Sequence, residues 1–103
     1  MTSHRYFTFT AGGLLLGVEI ERVQEVVRGL EVTPVPWSAD AILGVGNLRG
    51  GILTTVDVIQ RLGAHHSQSA SRHLNVVLAV NSERVSFVID HEGEVVELNE
   101  QQR

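Results

Sequence analysis

Gly44-Val-Gly-Asn-Leu-Arg-Gly-Gly51 leads directly into Ile52-Leu-Thr-Thr-Val-Asp-Val58. Four glycines in eight residues free the first part to turn tightly or to let another backbone come close. The second part is rich in β-branched residues, which favour an extended chain, and it reads as a strand. Asn47 and Arg49 are the polar side chains among the glycines. Arg49 is therefore expected on an exposed loop, where its planar guanidinium can grip a carboxylate. A phosphate-binding loop does not fit, because the lysine and hydroxyl that should follow the glycines are missing and the segment precedes a strand instead of a helix. Composition alone leaves Arg49 open between a docking group and a solvated side chain on a structural turn.

Outward from this centre the chain keeps to short strands. Upstream, Ser38 to Leu43 (SADAIL) is expected to form a helix of at most two turns, capped by the Ser38 hydroxyl and closed by Gly44. Val32-Thr-Pro-Val-Pro-Trp37 has two prolines that remove backbone donors, which puts it at an edge or in an extended connection. Glu19 to Val27 (EIERVQEVV) spaces Ile20, Val23 and Val27 as a helix would. Its many β-branched residues favour a strand instead, with a turn at Gly29. Tyr6-Phe-Thr-Phe-Thr10 alternates aromatic with hydroxyl, so Phe7 and Phe9 share one face, and Gly12-Gly13 turns this strand back into the apolar run Leu14 to Ile20.

Downstream, Ile59 to Gly63 reads as a short turn of helix ended by glycine. Ala64 to Arg72 (AHHSQSASR) is small, polar and aperiodic, and it is expected to be a flexible loop. His73 to Val80 and Arg84 to Asp90 then read as strands joined by an Asn81-Ser82 turn, with a final short strand at Glu94 to Leu98. Leu15 to Val27 and Val85 to Val96 echo one another in pattern, as two similar β units would.

Composition narrows the function classes. The eight basic residues are all arginine, scattered under a net charge of −4, so no basic patch exists to track nucleic acid. No apolar run approaches the roughly 18 residues of a membrane helix, which excludes insertion by that route. Cysteine is absent, which removes disulfides and thiolate metal sites and agrees with a cytoplasmic setting. His65, His66 and His73 do not make a metal site, because adjacent histidines point apart and no carboxylate is spaced to join them. Asp57 and Asp90 lack a nucleophile or oxyanion donor beside them and read as acceptors for backbone amides at strand ends. Neither an enzyme nor a cofactor is expected.

Four segments taken in order carry a resemblance: Gly17-Val-Glu-Ile-Glu-Arg-Val-Gln-Glu25, Pro34 to Pro36, Ile42-Leu-Gly-Val-Gly-Asn-Leu-Arg-Gly50 and Val56-Asp-Val58. They resemble the CheW-like domain of bacterial chemotaxis systems, from Tyr6 to Leu98, and the glycine-rich stretch with its Val-Asp pair is the most specific part. The resemblance implies an all-β fold of SH3-like barrels without an active site. It also implies a cytoplasmic adaptor that couples chemoreceptors, through their cytoplasmic tips, to a CheA-type histidine kinase. By position, Val23, Glu25, Asn47 and Arg49 would lie on the partner-binding face, with an exposed Val23 desolvating against a partner while Glu25 and Arg49 fix register.

Some residues depart from the family pattern: Thr54 stands where proline is frequent, Ser86 where glycine is usual and Glu92 where an apolar residue is common. The family domain also continues with closing strands after the position of Arg103. The expected architecture is one CheW-like domain over 1–103: a complete first barrel at about 6–63 with one short helix, a loop at 64–72, and an incomplete second barrel at 73–98. An open second barrel invites pairing with another copy, so homo-oligomer formation is expected. A structural swapped-strand oligomer, or an adaptor of a type IV pilus or other non-flagellar array, is the alternative reading.

Overall fold

Alternating side chains and two-residue turns build most of the architecture. The structure is a computed structural model that describes residues 3–35, 41–62 and 74–99. Within them nine strands follow in order: β1 (Ser3–Ala11), β2 (Leu14–Glu19), β3 (Val23–Arg28), β4 (Glu31–Thr33), β5 (Ile42–Leu48), β6 (Gly51–Asp57), β7 (Leu74–Val80), β8 (Glu83–Ile89) and β9 (His91–Asn99). A 3-10 turn at Ile20–Arg22 and one short helix, α1 (Val58–Arg61), complete the described elements. The protein is all-β, as its β-branched runs require.

Three hairpins turn on residue pairs with positive φ: Gly12 and Gly13 between β1 and β2, Arg49 and Gly50 between β5 and β6, and Asn81 and Ser82 between β7 and β8. Two positive φ values in a two-residue loop match the twist of the strands they join.

The strands form a three-stranded sheet in the order β2-β1-β9 and a six-stranded sheet in the order β3-β7-β8-β6-β5-β4. Both sheets join strands from either side of 64–72: β9 pairs with β1, β7 with β3, and β8 runs parallel to β6. The described strands after that stretch, β7, β8 and β9, are thus shared between the two sheets.

The main core lies between the two sheets. Phe7, Phe9 and Ala11 of β1 meet Leu74, Val76 and Leu78 of β7, with Ile89 and the α1 residues Val58 and Ile59. Burial of each large side chain contributes roughly 1.5–3 kcal/mol. A second cluster, Leu48, Leu53 and Val77 with Val27 and Leu30 packed on it, draws on β3, β5, β6 and β7. Those strands reach from one end of the six-stranded order almost to the other, so the sheet curls around this cluster as a small barrel. Inside the curl Thr55 and Ser86 share a hydrogen bond of 2.9 Å, and Ser86 donates to Asn75 at 3.5 Å, all three being buried.

The two aspartates hold backbone, as their positions at strand ends suggested. Asp57 accepts from the amides of Ile59 and Gln60 at 3.1 Å each and so caps α1. Asp90 accepts from the Gly12 amide at 2.8 Å and donates its own amide to the Thr10 carbonyl at 2.8 Å, which pins the β1–β2 turn to the end of β8.

The expected helix over Ser38 to Leu43 needs correction at its second half. Ser38 to Asp40 lie outside the described residues, whereas Ile42 and Leu43 belong to β5, where Ile42 pairs with Val56 and the Ala41 carbonyl accepts from the Asp57 amide at 2.7 Å. Gly44 does not end a helix. It sits in the strand where β4 crosses closely, and a Cβ there would collide with the Thr33 carbonyl. Val32 lies in β4, an edge strand, as the following proline implied. The expected loop 64–72 and His65, His66 and His73 lie outside the described residues. Among the described residues no helix is long and apolar enough to cross a membrane.

Candidate functional site

Val23, Gln24 and Glu25 open β3, and their placement depends on a local irregularity. Val23 pairs with Leu78 and Glu25 with Val77, so the register slips by one residue at Gln24. Without the slip, Val23 and Glu25 would share a face. With it, Val23 and Val26 pack against the main core, while Glu25 and Val27 turn to the side of Val77. Val23 is accordingly half-buried, with part of its side chain packed on the main core.

Arg49 and Gly50 form the turn between β5 and β6, and Arg49 holds φ 51°, a conformation that costs a residue with a side chain roughly 1–2 kcal/mol. The Asn47 side-chain oxygen accepts from the Gly50 amide at 3.3 Å, which braces the turn. From here the Arg49 guanidinium donates to the Glu25 carboxylate. The pair remains wet, with side-chain exposures of 67% and 32%, so its own contribution to stability is under about 1 kcal/mol. Glu25, Asn47 and Arg49 therefore meet at one end of the barrel, and Val23 faces away from them.

This end of the barrel is polar and open to solvent. It presents a guanidinium and a carboxylate held at fixed spacing, an exposed amide side chain at Asn47 and no buried charge. Among the described residues no group of three or more His, Asp or Glu side chains is placed to hold a metal ion. The CheW-like domain profile matches residues 5–102. The chain belongs to the CheW-like domain family.

Sequence relatives agree with that assignment. The chain is 32% identical over 92 residues to a chemotaxis protein CheW of Rhizobium meliloti, covering 89% of this chain and 59% of that protein. It is 36% identical over 67 residues to protein FrzA of Myxococcus xanthus, covering 65% of this chain and 42% of that one. The fold is similar to that of the scaffolding protein TtCheW of Thermoanaerobacter tengcongensis, with a TM-score of 0.87 at 24% identity over 97% of this chain and 68% of that one. This CheW-like chain thus spans less than two-thirds of the length of the first of these relatives.

The motif carried Glu25, Asn47 and Arg49 to one place. Sequence reading missed the one-residue slip at Gln24, because a β-bulge leaves no local pattern in Val-Gln-Glu. It also missed Arg84, which stands near the same end of the barrel on β8 and carries no motif of its own.

Proposed function

We propose that this CheW-like chain is a non-enzymatic, cytoplasmic adaptor in chemotaxis-type signalling, coupling chemoreceptors to a CheA-type histidine kinase. The observation that carries the reading is the Arg49–Glu25 pair, displayed on a strained two-residue turn at the end of a barrel in a domain of this family. Strain held at an exposed charged residue suits a binding surface better than a bare turn, where glycine would serve without cost. Glu25, Asn47 and Arg49 form the partner-contacting set, and Val23 fixes β3 from the core side. Calorimetric titration of the chain with a CheA-type kinase and with a receptor cytoplasmic tip tests this. Arg49→Ala should weaken at least one of the two about tenfold or more, as loss of a charge-assisted contact does. Unchanged affinity for both removes the proposal.

A second reading, self-association, has its own observation. On the outer face of β2-β1-β9, Tyr6, Leu15, Val96 and Leu98 line an apolar groove of about 290 Å³, with Leu15 71% exposed. β2 and β9 each pair on one side only among the described residues, so both edges can take a further strand. We propose that a second copy covers this face. Sedimentation equilibrium should give a dimer that Leu15→Glu converts to monomer, and a monomeric native chain would rule it out.

A further inference from the structure

The parallel pair β6 and β8 comes apart at one end. Its register begins at Thr54 with Val85 and runs to Asp57 with Val88, although β6 starts earlier, at Gly51, and β8 at Glu83. The unmatched ends are still held on their other sides: Ile52 and Leu53 pair with Asn47 and Gly46 of β5, and Glu83 and Arg84 with Val80 and Ala79 of β7. The result is a firm wedge whose facing edges have no bridged partner among the described residues. A groove of about 440 Å³ occupies it, lined in part by Val45, Ile52, Thr54, Ser82, Glu83 and Arg84.

Arg84 reaches across this wedge. Its Nη2 lies where a side chain at Gly51 would begin, so the guanidinium rests directly on the glycine backbone. Among the described residues it makes no hydrogen bond or ion pair. Arg49 at the same end of the barrel is satisfied by Glu25, whereas Arg84 is a half-buried cation without an acceptor among the described residues. Beside it Ile52 is 73% exposed, an unusual position for so large an aliphatic side chain.

We propose that the wedge between β6 and β8 is a docking groove for an extended segment of a partner protein that carries an Asp or Glu side chain flanked by aliphatic residues. The unmatched strand edges supply backbone donors and acceptors of the kind used when a strand is added to a sheet. Arg84 supplies the complement to the carboxylate, and Ile52 supplies apolar contact for the residue beside it. Glu83 lines the groove as well and repels a carboxylate on its own side, which fixes the direction from which the acidic side chain arrives. The proposal rests on the adaptor reading only in taking a protein as the partner, and its residues are distinct from Glu25, Asn47 and Arg49.

The test is a titration of the whole, 15N-labelled chain with the peptide acetyl-Thr-Val-Asp-Val-Thr-amide, followed by amide shifts, against the same peptide with Asn in place of Asp. The Asp peptide should move the amides of Ile52, Leu53 and Arg84 and bind about tenfold or more tightly than the Asn peptide. Arg84→Gln should abolish that preference, and Gly51→Ala, which displaces the guanidinium, should reduce it. Absence of shifts at those amides, shifts confined to Glu25 and Arg49, or equal binding of the two peptides would each overturn the proposal. The two-peptide comparison on the native chain decides the matter even where Arg84→Gln fails to fold. Arg49→Ala should leave the peptide titration unchanged, so loss of the kinase-coupling reading and loss of this one are told apart.

Discussion

Arg49, in the turn between β5 and β6, donates a hydrogen bond to Glu25 on β3, so side chains from near the two ends of one six-stranded order touch. Sheet order alone would separate these strands, and only the curling of the sheet around Leu48, Leu53 and Val77 brings them together. The pair is therefore a readout of barrel closure. It is also exposed enough that closure does not depend on it.

Removal of the Arg49 side chain should separate folding from binding. Arg49→Gly relieves a residue held at φ 51° and gives up an exposed ion pair. The two effects nearly cancel, and stability to urea should stay within about 1 kcal/mol of the native chain, on the stable side where relief of strain wins. Binding to a CheA-type kinase or receptor tip should nonetheless fall about tenfold. A variant that loses stability and binding in parallel would mean that Arg49 acts through the fold.

Charge exchange asks a finer question of the same pair. Glu25→Arg with Arg49→Glu keeps an ion pair across the same gap, so urea stability should return to within about 0.5 kcal/mol of native. Partner affinity should not return, because each charge would then face the wrong group on the partner. Restored affinity in the double variant, measured by titration, would show that the pair matters only to the shape of the turn.

How much of this was legible in the sequence depends on how local each cause is. Alternation in Tyr6 to Thr10 and the turn at Gly12-Gly13 were readable because neighbours along the chain determine them. The same holds for Ile52 to Val58 and for Asn81-Ser82. Gly44 read as the end of a helix, and the glycines after it as serving either a tight turn or a close approach; Gly44 and Gly46 are strand residues that other parts of the chain approach closely, and which of the two uses a glycine serves depends on partners that its own neighbours do not reveal. Ile42 and Leu43 read as helical because the strand β6, with which Ile42 pairs, cannot be seen from either residue. Of the candidate site, the motif named Glu25, Asn47 and Arg49, which lie together at one turn, whereas the slip at Gln24 that separates Val23 from Glu25 arises from pairing with β7 and has no local sign.

The buried hydroxyl network should be costly to break from one side. Ser86 stands between Thr55 and Asn75 inside the barrel, so Ser86→Ala strands polar groups that water cannot reach. Loss of about 1–3 kcal/mol is expected in urea unfolding. Thr55→Val in the same chain removes one stranded group and should recover part of that loss, giving a favourable coupling above about 0.5 kcal/mol. Simple additivity of the two substitutions would mean that the Thr55–Ser86 contact carries no energy of its own.

Gly12 and Gly13 offer a matched pair for separating strain from collision at the first hairpin. Both have positive φ, 59° and 82°, so alanine at either position meets a backbone penalty of roughly 1–2 kcal/mol. Only Gly12 also faces a wall: a Cβ there would lie 2.9 Å from Cγ1 and 3.0 Å from Cδ1 of Ile59, a fully buried residue of α1, whereas a Cβ at Gly13 meets nothing within 4 Å. Overpacking of a filled core adds roughly 1–3 kcal/mol, so Gly12→Ala should destabilise by clearly more than Gly13→Ala. Ile59→Val removes Cδ1 and costs about 0.5–1.5 kcal/mol alone, yet combined with Gly12→Ala it should cost less than the sum, because it vacates part of the space the new methyl group needs. Equal losses for the two alanine variants in denaturant titrations would show that Ile59 yields freely, and that the hairpin is held by the Asp90 contact from the end of β8 to the Gly12 amide and not by packing on α1.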